Sequence, residues 1–204
     1  MVTIRSATYA DTQAQLDIYA PFILHTVTSF ETEVPTAEAF WQRIQKVQTE
    51  APWLVCEIDG NIAGYAYASS HRSRQAYQWS REVSVYIHEA YRRRGIAQAL
   101  YRALLDLIEW QGYRNAYAGI VLPNPASVAF HESMGFEKIG IYKAVGYKNG
   151  AWQDVSWWSL RLGDWQSAPE TIIDLTTILH NQQKTAAVAG IESILRAATS
   201  LIKT

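Results

Sequence analysis

The chain has 204 residues, 49% of them hydrophobic and 18% charged, with a formal net charge of −1 at pH 7. This length is typical of one domain with a sizeable core. The near-zero charge gives no general attraction to nucleic acid or to a membrane surface, so we expect neither as a partner. No stretch approaches the ~20 apolar residues of a membrane span, and the N-terminal residues lack the apolar stretch of a signal peptide.

The first half of the chain predicts alternating strands and helices. We expect Asp11 to cap the first helix, because Asp is a favoured N-cap residue. Asp59-Gly60-Asn61 is a strong turn signal between two β-rich runs. The predicted elements are a strand at 2–7, helices at 12–26 and 37–48, a loop between them at 28–36, a hairpin at 52–69, a polar loop at 71–80 and a strand at 81–87.

Cys56, the only cysteine, lies in the first of these two β-rich runs, in the apolar sequence WLVCEI. It excludes an intrachain disulfide and suits a reducing compartment, so we expect a cytoplasmic protein. We also expect its side chain to be a buried small hydrophobe.

The second half continues with two crossover helices. Apolar residues from Ile96 to Ile108 have helical spacing, and Gly112 is placed to end that helix in a left-handed cap. Asn124 followed by Pro125 predicts the start of a short helix that ends at Gly135. Strands are predicted at 115–122, 136–145 and 153–162. This order favours a mixed α/β or α+β sheet in one domain.

After Leu162 the composition changes. Residues 163–170 resemble a linker, and amphipathic helices are predicted at 171–183 and 185–202. We therefore divide the chain into a domain at 1–163 and a C-terminal helical extension at 164–204. The apolar stripe of Ile191, Ile194, Leu195 and Leu201 must be covered. It either docks on its own domain or forms a dimer surface, and we expect a homodimer.

The segment HEAYRRRGIAQAL, residues 88–100, places three adjacent arginines before Gly95 at the predicted start of a helix. Unpaired N–H groups and a partial positive charge make a helix N-terminus a good phosphate site. Gly95 would let an anion approach the backbone, with small Ala97 nearby. The segment predicts a diphosphate site. Taken alone, it could also be a solvated face or a small nucleic-acid patch.

The pattern Arg92-x-x-Gly95-x-Ala97 resembles the pyrophosphate loop of the GNAT acetyltransferases. Many relatives have Gly where this chain has Ala97. The strings GYAYAS, YQWSREVSVYI, LYRALLDLIEWQGY and LPNPASVAFHESMGFEKIGIYKAVGYKNGAWQDVSWW resemble the phosphinothricin N-acetyltransferase subfamily over residues 1–162. The resemblance implies the GNAT fold: a mostly antiparallel mixed sheet with splayed central strands and flanking helices. It also implies acetyl-CoA as co-substrate, without a metal.

The resemblance assigns cofactor-binding residues in three places. The strand before the loop should contact the pantetheine arm, the loop and helix start should hold the diphosphate, and the residues after the next strand should bind the pantetheine chain. These residues are Val85, Tyr86 and Ile87; Arg92, Arg93, Arg94, Gly95, Ile96, Ala97 and Gln98; and Asn124 and Ser127. Asn124 could equally be a plain helix cap.

The resemblance also assigns the catalytic residues. Glu82 corresponds to the base that accepts the amine proton, and we expect it to face an apolar cleft, on the same strand face as Ser84. His131 replaces the tyrosine that protonates the departing thiolate in many relatives. An exposed strand glutamate and a surface histidine are the structural alternatives.

The acceptor site is least clear from the sequence. Candidate residues are Phe30, Glu31, Arg72, Arg74, Tyr77 and Tyr147. Arg74 is our first choice to bind a substrate carboxylate, and Arg72 the second. The resemblance implies direct transfer of an acetyl group to the α-amine of a small amino acid or analogue, such as phosphinothricin, methionine sulfone or methionine sulfoximine. The alternatives are a protein N-terminus, lysine or polyamine acceptor, or a non-catalytic acyl-CoA-binding protein.

Overall fold

The computed structural model describes residues 1–174 and 185–203 of the chain. Its strands are β1 (Val2–Ser6), β2 (Trp53–Ile58), β3 (Asn61–Ser70), β4 (Ser80–Ile87), β5 (Asn115–Leu122), β6 (Glu137–Lys148) and β7 (Ala151–Arg161). Its helices are α1 (Thr12–His25), α2 (Ala37–Gln48), α3 (Ile96–Gln111), α4 (Pro125–Ser133) and α5 (Thr185–Thr199). The predicted order of strands and helices through residue 162 is therefore observed.

The seven strands in the described part of the chain form one sheet in the order β1-β2-β3-β4-β5-β7-β6. Among these strands, only β4 and β5 are parallel neighbours, and they pair from Ser80↔Asn115 to Glu82↔Tyr117. Beyond that point the described strands diverge, while β4 remains paired with β3 as far as Ile87. The predicted mostly antiparallel sheet with splayed central strands is confirmed.

The sheet buries a separate core on each face. One core contains Val83 of β4 and the buried face of α3, including Leu100 and Leu104. The other packs α1 and α2 against side chains of β2 and β3, including Trp53 and Tyr65. Because side chains alternate along a strand, odd-numbered residues of β4 face α3 and even-numbered ones face α1.

The C-terminal extension packs on its own chain. Helix α5 lies against α3 and β1, and Ala198 is 1% exposed within the main core. The Thr199 hydroxyl oxygen accepts a hydrogen bond from the backbone N–H of Ile4, at 3.2 Å. Ile191, Ile194 and Leu195 pack partly buried against the same core. Of the two interpretations of this apolar stripe, the structure therefore shows the docked one.

Two local predictions differ from the structure. Residues 171–174 are not helical, and the rest of the helix predicted at 171–183 lies outside the described residues. Asp11 does not cap α1 through its side chain, because the chain already turns at Tyr9–Asp11 with Thr8 as the cap. The Asp11 carboxylate instead accepts hydrogen bonds from Arg5 at 2.7 and 2.8 Å. In the part of the chain described, no helix is long and apolar enough to cross a membrane.

Candidate active site

The diphosphate loop, residues 92–95, connects β4 to α3. A short turn at Glu89–Tyr91 precedes it, and α3 starts at Ile96. Arg93 and Gly95 both have left-handed backbone angles, with φ of 63° and 79°. Turns of this kind point successive N–H groups to one side and form anion-binding concavities. The loop therefore combines backbone donors, arginine charge and a helix N-terminus.

A groove of about 440 Å³ lies against this loop. Seven of the predicted cofactor residues line it: Ile87, Arg92, Arg93, Gly95, Ile96, Ala97 and Gln98. The opposite wall is α4, through Ala126, Phe130 and Ser133. These three residues were missed from the sequence, although their spacing of four and three marks one helix face. The groove has the donors and the length of apolar wall that a nucleotide diphosphate on a thiol-bearing arm requires.

Gly95 differs from its predicted role. A Cβ built on it would lie 3.0 Å from the Leu201 carbonyl oxygen, on the side of the C-terminal extension. The glycine is therefore required by its left-handed φ and by the close approach of Leu201. The sequence analysis predicted that the missing Cβ would leave room for an anion. The space that it leaves is instead filled by the Leu201 carbonyl group.

The divergence of β4 from β5 opens a gap in the sheet beside Val85, Tyr86 and Ile87. Ile87 lines the cofactor groove, whereas Tyr86 lines a cavity on the opposite face. Asn124 caps α4 by accepting a hydrogen bond from the Ser127 N–H at 3.1 Å, as the sequence predicts. Neither Asn124 nor Ser127 lines the described groove. Arg94 also lies off it, with its guanidinium 5.5 Å from the centre of the Tyr91 ring.

Glu82 lies at the last paired position, where the gap begins. Its Oε1 accepts hydrogen bonds from His71 Nδ1 and from Arg72 Nη1, both at 2.9 Å. The His71 ring stacks on Tyr117 at 4.4 Å between centroids. The prediction that Glu82 faces an apolar cleft is therefore wrong. Glu82 shares the α1 face with Ser84, as predicted, but a guanidinium and an imidazole surround it.

The cavity on this face has a volume of about 660 Å³ and is mostly aromatic and apolar. It is lined by Tyr19, Thr28, Ser29, Phe30, Glu31, Tyr86, Gly119, Val121, Tyr142, Val145, Val155 and Trp157. The Arg72 guanidinium lies 5.5 Å from the centre of the Trp157 ring, which places Arg72 beside the cavity. The buried Trp157 Nε1 has no hydrogen-bond partner among the described residues.

A hydrogen-bond network orders one wall of this cavity. Arg43 donates to both carboxylate oxygens of Glu31, at 2.6 and 3.2 Å. The Tyr19 hydroxyl donates to Glu31 at 2.9 Å, and burial raises the pKa of Tyr19 well above its usual value. The Lys148 ammonium donates to the carbonyl oxygens of Ile23 and Ser29, both at 2.7 Å. The wall is thus fixed before any ligand binds.

Only part of the predicted acceptor set is brought together. Phe30 and Glu31 line the aromatic cavity. Arg74 and Tyr77 line a separate polar cavity of about 810 Å³, which Arg72 also borders. Tyr147 is 61% exposed and packs against Trp152 at the end of the β6–β7 hairpin, away from the cavity lining. Three aromatic residues of the lining, Tyr19, Tyr142 and Trp157, were missed, because they lie on α1, β6 and β7, which are distant in sequence.

His131 lies behind the cofactor groove, 5% exposed. Its Nδ1 donates to the Ser127 carbonyl oxygen at 2.8 Å, and its Nε2 accepts from the Tyr101 hydroxyl at 3.1 Å. Desolvation lowers the pKa of His131, against an opposing effect of the Ser127 carbonyl. His131 is thus a buried neutral imidazole that does not itself line the groove. Its neighbour in sequence, Phe130, does.

Comparison with known proteins agrees with this arrangement. A family model described as an acetyltransferase (GNAT) domain matches residues 4–157. The chain belongs to the GNAT acetyltransferase family. This GNAT enzyme is 40% identical over 157 residues to a phosphinothricin N-acetyltransferase of Streptomyces viridochromogenes, covering 77% of this chain and 86% of the relative. The predicted resemblance to that subfamily is confirmed.

Two further relatives cover most of the acetyltransferase. It is 32% identical over 171 residues to an L-methionine sulfoximine/L-methionine sulfone acetyltransferase of Salmonella typhimurium, covering 83% of this chain and 99% of the relative. A crystal structure of a phosphinothricin acetyltransferase from Sinorhizobium meliloti in complex with AcCoA matches with a TM-score of 0.79 and 32% identity. That match covers 83% of this chain and 93% of the other.

Proposed function

We propose that this acetyltransferase moves an acetyl group from acetyl-CoA to the α-amine of a small amino acid or analogue of the phosphinothricin, methionine sulfone or methionine sulfoximine type. One observation carries the proposal. The groove at residues 92–95 lies on one face of the sheet and the aromatic cavity lies on the other, and both border the part of the sheet where β4 and β5 are no longer paired. The activities named for the relatives support the same substrates.

The groove on the α3 face is the proposed site for acetyl-CoA. The N–H groups of residues 93–98 and the Arg92 and Arg93 guanidiniums would hold its diphosphate, since anions bind well at such helix starts. The backbone of residues 85–87 faces the gap and would hold the pantetheine arm. Acetyl-CoA supplies a thioester carbonyl that a neutral amine can attack.

Glu82 is our candidate for the base. The α-amino group of a model peptide titrates around 8, and the α-amine of a free amino acid holds its proton more tightly because a carboxylate lies beside it, so a base is needed to remove the proton at neutral pH. The carboxylate lies where the gap opens on the cavity side, and its hydrogen bonds to His71 and Arg72 fix its direction. It could accept the proton directly or through a water molecule.

His131 remains our candidate for the group that protonates the departing thiolate. Its position on α4, beside the groove residue Phe130, supports this role. Both ring nitrogens are already hydrogen bonded, so the neutral ring would first have to take up a proton and become an imidazolium, and donation to the thiolate would then return it to the neutral form. The Ser127 hydroxyl, 3.4 Å from Nδ1, offers a route toward the half-exposed surface of α4.

Transfer is proposed to be direct, without an acetyl-enzyme. The Cys56 thiol is completely buried in β2, and desolvation raises its pKa to about 12. A thiol in that state is a poor nucleophile at neutral pH. The separate placement of the two substrates across one gap also favours a complex that holds both.

A thiol-release assay with acetyl-CoA against a panel of acceptors tests the proposal. The panel contains L-phosphinothricin, L-methionine sulfone and L-methionine sulfoximine, their methyl esters, a lysine peptide and spermidine. We expect turnover of the free amino-acid analogues and little turnover of their esters. Preference for the peptide or for spermidine would replace the proposed acceptor class, and no release with any amine would favour the non-catalytic alternative.

We also propose that the chain forms a homodimer through the β6–β7 hairpin. Three residues of the apolar stripe pack internally and, of the four, only Leu201 stays exposed, at 47%, so we place the dimer surface elsewhere. Ile139, Tyr142, Val145, Tyr147 and Trp152 are all about half exposed or more on this edge hairpin. Sedimentation velocity should show a dimer that Trp152→Asp dissociates, whereas Leu24→Asp, at an exposed leucine on α1, should leave it intact.

A further inference from the structure

The diphosphate loop has a conformation that its own sequence does not favour. Arg93, which is not a glycine, has a φ of 63°, and three adjacent guanidiniums repel one another. Its described local backbone bonds are Arg92 N–H to the Glu89 carbonyl at 3.4 Å, and Ala99 N–H to the Gly95 carbonyl at 2.9 Å. Strained backbone persists when the surrounding structure holds it in place.

Residues 200–203, the C-terminal segment, hold the loop from the other side. The backbone N–H of Lys203 donates to the Arg94 carbonyl oxygen at 3.0 Å. The Leu201 carbonyl oxygen lies 3.0 Å from where a Cβ on Gly95 would be. Between these two contacts the Ile202 side chain is 8% exposed and belongs to the main core. The contact is thus a backbone clamp secured by a buried side chain.

The C-terminal segment is itself firmly placed. It follows α5 directly, and α5 packs on α3, the helix whose first residues complete the cofactor site. Residues further back in the extension contact the other end of α3, where Ile173 N–H donates to the Gln111 carbonyl oxygen at 2.8 Å. In each of these contacts, the residue of the C-terminal extension lies outside residues 4–157, the part of the chain that matches the family model.

From these contacts we infer that the C-terminal segment is a positioning element for the diphosphate loop, so that this chain's affinity for acetyl-CoA depends on its own tail. The inference rests on the proposed binding of acetyl-CoA at the loop. A loop already fixed in its binding conformation loses less conformational freedom when the diphosphate binds. Breaking these backbone contacts would therefore weaken the binding of acetyl-CoA without altering the aromatic cavity.

The matched pair Lys203→Pro and Lys203→Ala isolates the clamp. Proline removes the N–H that bonds Arg94, whereas alanine removes the side-chain charge and keeps the N–H. Calorimetry should show a Kd for CoA about fivefold higher in Lys203→Pro, the effect of one net hydrogen bond, and near wild type in Lys203→Ala. The acceptor KM should not change in either. The Lys203 side chain is exposed, so both variants should keep the core.

A double-mutant cycle provides the second test. Gly95→Ala is measured in the full chain and in a chain ending at Thr199, with thermal unfolding used to verify that each variant is folded. The shortened chain lacks the Leu201 carbonyl that the new methyl group would meet. We expect Gly95→Ala to raise the Kd for CoA by a smaller factor in the shortened chain than in the full one.

The outcomes separate the two proposals. A wild-type protein that does not bind CoA would refute the proposed function itself. If the wild type binds CoA and Lys203→Pro binds it equally well, the positioning role is overturned. Equal weakening by Lys203→Pro and Lys203→Ala would also overturn it, because the Lys203 charge would then be responsible.

Discussion

The two substrate regions are built differently. The cofactor groove comes mostly from one continuous segment, residues 87–98, with one face of α4 as its opposite wall. The aromatic cavity, the proposed acceptor site, is assembled from α1, the loop after it, β4, β5, β6 and β7. The residues that line the groove depend mainly on one short segment of sequence. The residues that line the cavity come from six elements, so a change in any of the six can alter its shape. The proposed sites for the cofactor and for the acceptor are thus built from different parts of the chain.

The largest expected effect lies where the two regions meet. Glu82→Gln keeps the shape of the side chain and removes the proton acceptor, so kcat at neutral pH should fall roughly 10²-fold. The loss should shrink at high pH, where the amine deprotonates unaided, and the Kd for acetyl-CoA should stay near wild type. Glu132→Gln, at an exposed position on α4, is the control. A wild-type kcat in Glu82→Gln would place the base elsewhere.

The second prediction separates the cofactor region from the acceptor region. Gly95→Asp adds a side chain at φ +79° that meets the Leu201 carbonyl oxygen and so must shift the diphosphate loop, and it adds a negative charge near the anion. It should raise the Kd for acetyl-CoA at least about tenfold, or ~1.4 kcal/mol. Gly60→Asp is a matched control, because Gly60 has a φ of +84° in the distant β2–β3 turn with open space around it. Unchanged affinity in folded Gly95→Asp would remove the diphosphate site from this loop.

The third prediction addresses the acceptor region alone. Arg72 touches Glu82 and Trp157, whereas Arg74 lines the other cavity, which reverses the order expected from the sequence. Arg72→Ala should raise the acceptor KM about tenfold, the low end for a charge-assisted bond at a partly exposed site, and reduce the preference for acid over ester. Arg74→Ala should change neither. The opposite result would restore Arg74 as the carboxylate partner.

The smallest expected effect concerns His131, behind the cofactor groove. Desolvation lowers its pKa from the ordinary 6.5. The unfolded chain therefore binds more protons just below pH 6.5, and stability should fall as the pH decreases through that window. His131→Asn should reduce this acid-induced fall in Tm by a few degrees. His25→Asn, at an exposed histidine, should leave the Tm–pH curve unchanged, and an unaltered curve in His131→Asn would contradict the burial argument.

The sequence predicted what short-range chemistry determines. Gly112 adopts the left-handed angle predicted for the end of α3, and Asn124 caps α4. The loop of residues 92–95 and the start of α3 were predicted for the same reason. The C-terminal end of β6 was not predicted, because the strand continues past a bulge. In this bulge, the Asp154 carboxylate accepts a hydrogen bond from the Ala144 N–H at 2.8 Å.

Long-range contacts account for the rest. Tyr19, Tyr142 and Trp157 come together only after the sheet forms, so no local pattern marks them as one cavity. The charged surroundings of Glu82 depend on how the loop after β3 folds back over β5. The contact between Leu201 and Gly95 joins residues more than a hundred positions apart, and it changed the explanation for the glycine itself.

The central claim is that both substrates are held at once, on opposite faces of the sheet, and react through the gap between β4 and β5. Initial rates measured while both acetyl-CoA and L-methionine sulfoximine are varied test this most directly. The account predicts double-reciprocal lines that intersect, with no acetyl group on Cys56 by mass spectrometry. Parallel lines together with an acetylated enzyme would contradict it, because they require the first product to leave before the acceptor binds.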